Sequence, residues 1–116
     1  SRIALAMKYI SSSFNKISTL IFDEIDSGIS GKVASEVGCL LQEISNSSQV
    51  INITHLPQVA AIAKYHLNVN KKETAGEMES TINYLSKEDR IQVLAKMLGG
   101  DKTGEAALNN ALELLN

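Results

Sequence analysis

The sequence predicts an α/β fold in which parallel strands with crossover helices precede a hairpin and C-terminal helices. Three observations predict it. Two short apolar runs, residues 19–22 and 50–54, have the composition of strands, and a stretch of helical periodicity separates them. Two further strand-like runs, residues 66–70 and 80–85, flank a polar segment and read as a hairpin. After Ser86, apolar residues recur at helical spacing to the end of the chain. The strand, helix, strand order of the first half implies parallel pairing with a right-handed crossover.

Each element has its own justification. Ile3, Met7, Ile10 and Phe14 share one helical face, so the chain is expected to open on a helix. Periodicity begins at Ile3 with no leader and no starting Met, which reads as a cut from a longer chain. Ser11-Ser12-Ser13 weakens that helix, and Asn15-Lys16 suits a connection. Residues 19–22 are apolar and end in acids, which fits a buried strand of a parallel sheet. Asp26-Ser27-Gly28 is turn chemistry. Ser30 is the expected N-cap of a helix with Val33, Val37, Leu40, Leu41 and Ile44 inward, closed by Asn46-Ser47-Ser48. Residues 50–54 are β-branched and mostly apolar. Pro57 suits the first turn of a helix that residues 59–63 continue.

In the hairpin, residues 71–79 are expected to form a long polar tip that turns at Gly76. Ser86 with Asp89 three residues on resembles a capping box, with Asp in place of the usual Glu or Gln. Ile91, Leu94, Ala95 and Leu98 make the inner face of the next helix, which Gly99-Gly100 stops. A last helix runs from about Gly104, with Leu108, Ala111, Leu112 and Leu115 on one side. No repeat, low-complexity segment or internal linker interrupts this order.

Composition bounds the function. A chain of 116 residues suits one domain able to bury a core without disulfides or metals. Eleven basic against 13 acidic residues give a net charge of -2, which leaves no electrostatic footprint for nucleic-acid binding by this chain alone. No apolar run approaches the length of a membrane-spanning helix. Cys39 is the only cysteine, so an internal disulfide is excluded and an intracellular setting is the simplest reading. It lies in a predicted helix and reads as a small packed residue, not a nucleophile.

Two clusters carry the chemistry. The first is Leu20-Ile21-Phe22-Asp23-Glu24-Ile25-Asp26. Adjacent carboxylates repel, so an apolar strand that delivers Asp23 and Glu24 together suggests a cation or a proton-transfer task. Read alone, the same acids also fit a solvated strand end beside a helix N-terminus. The second is Ile53-Thr54-His55-Leu56-Pro57. His55 follows a buried strand, from where an imidazole could donate a hydrogen bond to a phosphate without a permanent charge. Alone it would be structural; its order after an acid-tipped strand favours function. Both clusters fall at strand carboxyl ends, where open α/β sheets bind ligands. His66 lacks such a context and reads as structural. Two glycine-rich stretches, Gly28-Ile29-Ser30-Gly31-Lys32-Val33 and Gly99-Gly100-Asp101-Lys102-Thr103, fail the phosphate-loop pattern of two glycines separated by four residues and followed by Lys and a hydroxyl.

In this order the clusters resemble the second half of an ABC ATPase head, and most closely the RecN family of SMC-like ABC ATPases. The resemblance rests on Phe22-Asp23-Glu24-Ile25-Asp26-Ser27-Gly28-Ile29-Ser30-Gly31, on Ile53-Thr54-His55-Leu56-Pro57-Gln58-Val59-Ala60-Ala61, and on Ala95-Lys96-Met97-Leu98-Gly99-Gly100 with the Leu-rich final helix. It spans nearly the whole chain and implies the C-terminal lobe of an ABC-type ATPase head over residues 1–116. The Walker A loop and the coiled coil would belong to an absent part.

The resemblance also implies roles. Residues 20–24 are similar to a Walker B strand, with Asp23 associated with magnesium, through water, and Glu24 the catalytic glutamate. His55 falls at the switch histidine. Ser30 and Gly31 fall in the D-loop and join Asp23 as candidate nucleotide-binding residues, although Ser30 stands where the wider ABC pattern has aspartate. The cofactors implied for a complete protein are ATP and magnesium. The partners implied are the N-terminal lobe of the same head, a second head across ATP, and DNA, with no membrane. The implied task is recombinational repair of DNA double-strand breaks in the cytoplasm, at the nucleoid. Half a nucleotide site predicts no ATPase activity for this chain alone. The residues leave two other readings open: a receiver-like binding module, and the head of another SMC-like ATPase such as a condensin or a RecF-type protein.

Overall fold

The computed structural model describes Ala6 and residues 17–74, 76–100 and 104–116. The expected opening helix through Ile3, Met7, Ile10 and Phe14 lies outside the described residues, as do Ser11-Ser12-Ser13 and Asp101-Lys102-Thr103. Strand β1 (Thr19–Asp23) pairs in parallel with β2 (Gln49–Ile53), in a register that sets Thr19 against Gln49 and Asp23 against Ile53. Helix α1 (Gly31–Ile44) is the crossover between them. Alternation decides which strand residues meet it: Leu20, Phe22 and Val50 pack on Ala34, Val37, Leu41 and Ile44 of α1.

The opposite face of this sheet departs from the sequence expectation. Ile21, Ile51 and Ile53 are exposed, Ile21 to 67%. Parallel strands are buried on both faces only when helices cover both, and among the described residues helices cover one.

Helix α2 (Pro57–Ile62) follows at once, with Pro57 in its first turn, where the missing N–H costs nothing. It is short, yet it joins two packing units. Val59 belongs to the cluster formed by α1 and the sheet. Ala61 belongs to a second cluster with Leu94, Ala95 and Ala111. Gly38 of α1 permits the close approach of α2, since a Cβ there would lie 2.4 Å from Cδ1 of Ile62.

Strands β3 (Leu67–Thr74) and β4 (Glu77–Tyr84) form the antiparallel hairpin. The long polar tip expected at residues 71–79 is instead mostly ladder. Pairing continues to Thr74 opposite Glu77, and Gly76, at φ 84°, stands in the two-residue connection. Polarity argues against burial, not against pairing: both faces of the tip are exposed, and Lys72 lies directly opposite Glu79. At the other end, Leu67 opposes Tyr84 and Val69 opposes Ile82, all exposed on one face.

Helices α3 (Lys87–Gly99) and α4 (Glu105–Leu115) pack on α2 and on each other. The predicted cap on α3 is present. Asp89 N–H donates to Ser86 Oγ at 3.1 Å, and that hydroxyl donates to Asp89 Oδ2 at 2.8 Å. The shorter Asp thus reaches the hydroxyl, where a longer Glu would reach the Ser86 backbone. Such a cap contributes about 1 kcal/mol. Gly100, at φ 67°, ends α3 and donates its N–H to Lys96 O at 2.8 Å. In α4, Ala111 is buried, but Leu112, expected inward, is 42% exposed.

Arg90 ties α3 to the end of α2. Its Nη2 donates to Ala63 O at 2.7 Å and its Nη1 to Lys64 O at 3.3 Å. Nη2 also lies 3.3 Å from Nε2 of His66, which fits a neutral imidazole accepting there. Burial holds the His66 pKa below its ordinary value of 6.5, the Arg90 charge adds to this, and a hydrogen bond with the Ala60 backbone opposes both. Below pH 6.5 the unfolded ring therefore binds a proton that the folded ring resists. Stability from this group is complete above pH 6.5 and is lost as pH falls through the depressed folded value. Urea unfolding midpoints across this range are expected to fall with acid and to lose part of that slope in His66→Gln; equal slopes would remove His66 as the cause.

Candidate functional site

The parallel register brings the two singled-out clusters to one end of the sheet. Asp23 is the last residue of β1 and lies opposite Ile53, the last of β2. The ladder extends one step further, because Glu24 N–H donates to Ile53 O at 3.0 Å. Glu24 therefore stands beside the start of the Thr54-His55 segment. Asp23, Glu24 and His55 are all exposed there.

Glu24 is also the described non-glycine residue with a left-handed backbone, at φ 46°. That conformation costs an L-residue roughly 1–2 kcal/mol. Such strain persists where surrounding structure enforces it, and it concentrates at functional sites. Here a turn enforces it: Ser27 N–H donates to Glu24 O at 3.1 Å, and Ile29 N–H donates to Asp26 O at 3.3 Å. Gly28, at φ 77°, completes the reversal toward α1.

Ser30 and Gly31 lie beyond this turn. Ser30 occupies the N-cap position of α1 in extended conformation, but its side chain caps nothing. Ser30 and Gly31 are both exposed at the N-terminal end of α1. The structure thus brings Asp23, Glu24 and His55 to adjoining strand ends and carries Ser30 and Gly31 at the N-cap and first residue of α1.

The sequence reading missed one pair. Asp26, taken as a turn residue, is fully buried at 0% exposure. Its Oδ2 accepts a hydrogen bond from Thr54 Oγ1, and Thr54 Oγ1 accepts from Leu56 N–H at 2.9 Å. Asp26 Oδ1 and both side-chain polar atoms of Asn52 are buried without partners among the described residues. The available signal was a hydroxyl on the last residue of a predicted strand, immediately before His55, with a third acid in the preceding turn.

The donor set fits magnesium in a limited way. That ion keeps several waters and takes one or two carboxylates together with substrate phosphates, and Asp23 offers one exposed carboxylate. Among the described residues, no group of three or more His, Cys, Asp or Glu could hold a metal by itself. No described helix is long and apolar enough to cross a membrane.

No family model matches the chain. Whole-chain similarity to curated proteins is nevertheless high. The chain is 47% identical over 116 residues to the DNA repair protein RecN of Haemophilus influenzae, covering 100% of the chain and 21% of that protein. It is 41% identical over 116 residues to RecN of Halalkalibacterium halodurans, covering 100% of the chain and 20% of that protein. RecN of Treponema pallidum is 46% identical over 116 residues, covering 99% of the chain and 20% of that protein. The chain thus spans about one fifth of the length of these relatives. Its parallel strands, hairpin and terminal helices are compatible with the C-terminal part of an ABC ATPase head. From end to end the chain carries the sequence of a RecN-family segment.

Proposed function

We propose that this chain is the C-terminal lobe of the ATPase head of a RecN-type protein that acts in recombinational repair of DNA double-strand breaks. The observation that carries the reading is the parallel register, which puts Asp23, Glu24 and the His55 segment at one end of one sheet. The relatives are DNA repair proteins, which supplies the repair context.

In this reading Asp23 holds magnesium through water, Glu24 orients the attacking water and accepts its proton, and His55 donates a hydrogen bond to the terminal phosphate. Magnesium, when bound, neutralises charge that develops on the phosphates. Ser30 and Gly31 approach the nucleotide from the N-terminal end of α1. The N-terminal lobe of the same head supplies the phosphate loop, and a second head closes over ATP. DNA is engaged by the complete protein, in the cytoplasm at the nucleoid.

The division of labour is testable. The complete protein is expected to release phosphate from ATP in a magnesium-dependent manner, and the purified chain alone is expected to release none above background. Phosphoryl transfer needs preorganised charge on both sides of the phosphates, and this chain supplies one side. Magnesium-dependent turnover by the isolated chain in a malachite-green assay would overturn the reading.

A further inference from the structure

We propose that Asp26 and Thr54 are positioning residues that set Glu24 against His55. The inference rests on the ATPase reading above and adds to it the device that holds its two halves together.

The two strands end side by side, but backbone pairing stops with the bond from Glu24 N–H to Ile53 O. Beyond that bond, each segment leaves the sheet in its own direction. The first turns through residues 24–28 into α1, and the second runs through His55 into α2. Nothing in the ladder fixes the distance between them. The Asp26–Thr54 hydrogen bond spans this gap.

Its geometry suits the task. Asp26 lies two residues after Glu24, and Thr54 immediately precedes His55. The Thr54 hydroxyl is used in both directions: it accepts from Leu56 N–H, which pins the backbone on the far side of His55, and it donates to Asp26. His55 is therefore bracketed by two backbone positions referred to one oxygen atom. On the other side, the Asp26 backbone carbonyl accepts from Ile29 N–H, so the carboxylate is anchored in the turn that holds Glu24 left-handed.

Burial makes the bond consequential. The Asp26 side chain is fully buried. A carboxylate removed from water is costly unless hydrogen-bonded, and the Thr54 hydroxyl is the side-chain donor that it has among the described residues. Misplacing a reacting group by about 1 Å costs on the order of a hundredfold in rate. Loss of the strap would leave Asp23 and the fold in place and would let His55 and Glu24 drift apart.

The test uses the complete RecN-type protein. Thr54→Val removes the hydroxyl at nearly constant volume, and Thr54→Ser retains it. Thr54→Val is expected to lower kcat for ATP by about ten- to a hundredfold with KM little changed, and Thr54→Ser to stay near wild type. Equal losses in both would show that the methyl packing matters and would overturn the proposal. A purely stabilising role is separated by Asp26→Ala combined with Thr54→Val. Removing both partners relieves the unpaired buried carboxylate, so Tm should recover relative to Thr54→Val alone while kcat stays low. Recovery of kcat together with Tm would overturn positioning. Glu24→Gln, run in parallel, separates the two claims. If it abolishes turnover while Thr54→Val does not, the strap is wrong and the ATPase reading stands. Wild-type turnover in Glu24→Gln removes the reading on which the strap depends.

Discussion

Glu24→Gln in the complete protein is expected to lower ATP turnover by about a hundredfold or more, while ATP still binds and stays bound. Gln keeps the volume and the hydrogen-bonding reach of Glu but cannot take a proton from the attacking water. A loss of two decades corresponds to about 2.7 kcal/mol of barrier. The geometry makes this a sharp test. The residue is exposed at the strand tip, so the substitution disturbs no packing. Its left-handed backbone is set by the turn through Ser27, which the change leaves intact. Filter binding of labelled ATP beside steady-state phosphate release would read both halves of the expectation. Unchanged turnover would take Glu24 out of the role.

His55→Ala carries the second large expectation, a loss of roughly ten- to a hundredfold in turnover, of the size seen when a donor to developing charge is removed. His55 is exposed and lies one residue beyond Thr54, at the tip of β2. Thr54 and Leu56 hold the backbone on either side of it through one hydroxyl, so deletion of the ring should leave the segment where it is. His55→Gln, which keeps an N–H donor, should lose less than His55→Ala. Wild-type rates in His55→Ala would make the residue structural.

Elements governed by local chemistry were legible in the sequence. Ser86 and Asp89 announced the start of α3, Gly100 its end, and Pro57 the start of α2, because caps and breakers act within a few residues. The β1–α1–β2 order predicted parallel pairing, and the register then brought residues 23 and 24 to the segment holding residue 55. What escaped depended on partners distant in sequence. The exposure of Ile21 follows from which layers cover the sheet, and no local pattern encodes that. Lys72 looked like loop until Glu79 stood opposite it. Asp26 looked like a turn residue because turns favour aspartate, and its burial became visible only with Thr54 across the gap. The left-handed backbone of Glu24 ran against propensity altogether, since Gly or Asn would be expected there.

The six residues of α2 belong to both hydrophobic clusters at once, through Val59 and Ala61. A helix held from two sides behaves as a rivet, and the histidine segment is the short tether at its head. Residue 55 is separated from that helix by Leu56 alone, so the histidine segment is referred directly to both clusters. The end of the sheet that carries residue 55 and the C-terminal helices are thus bridged by a single short helix.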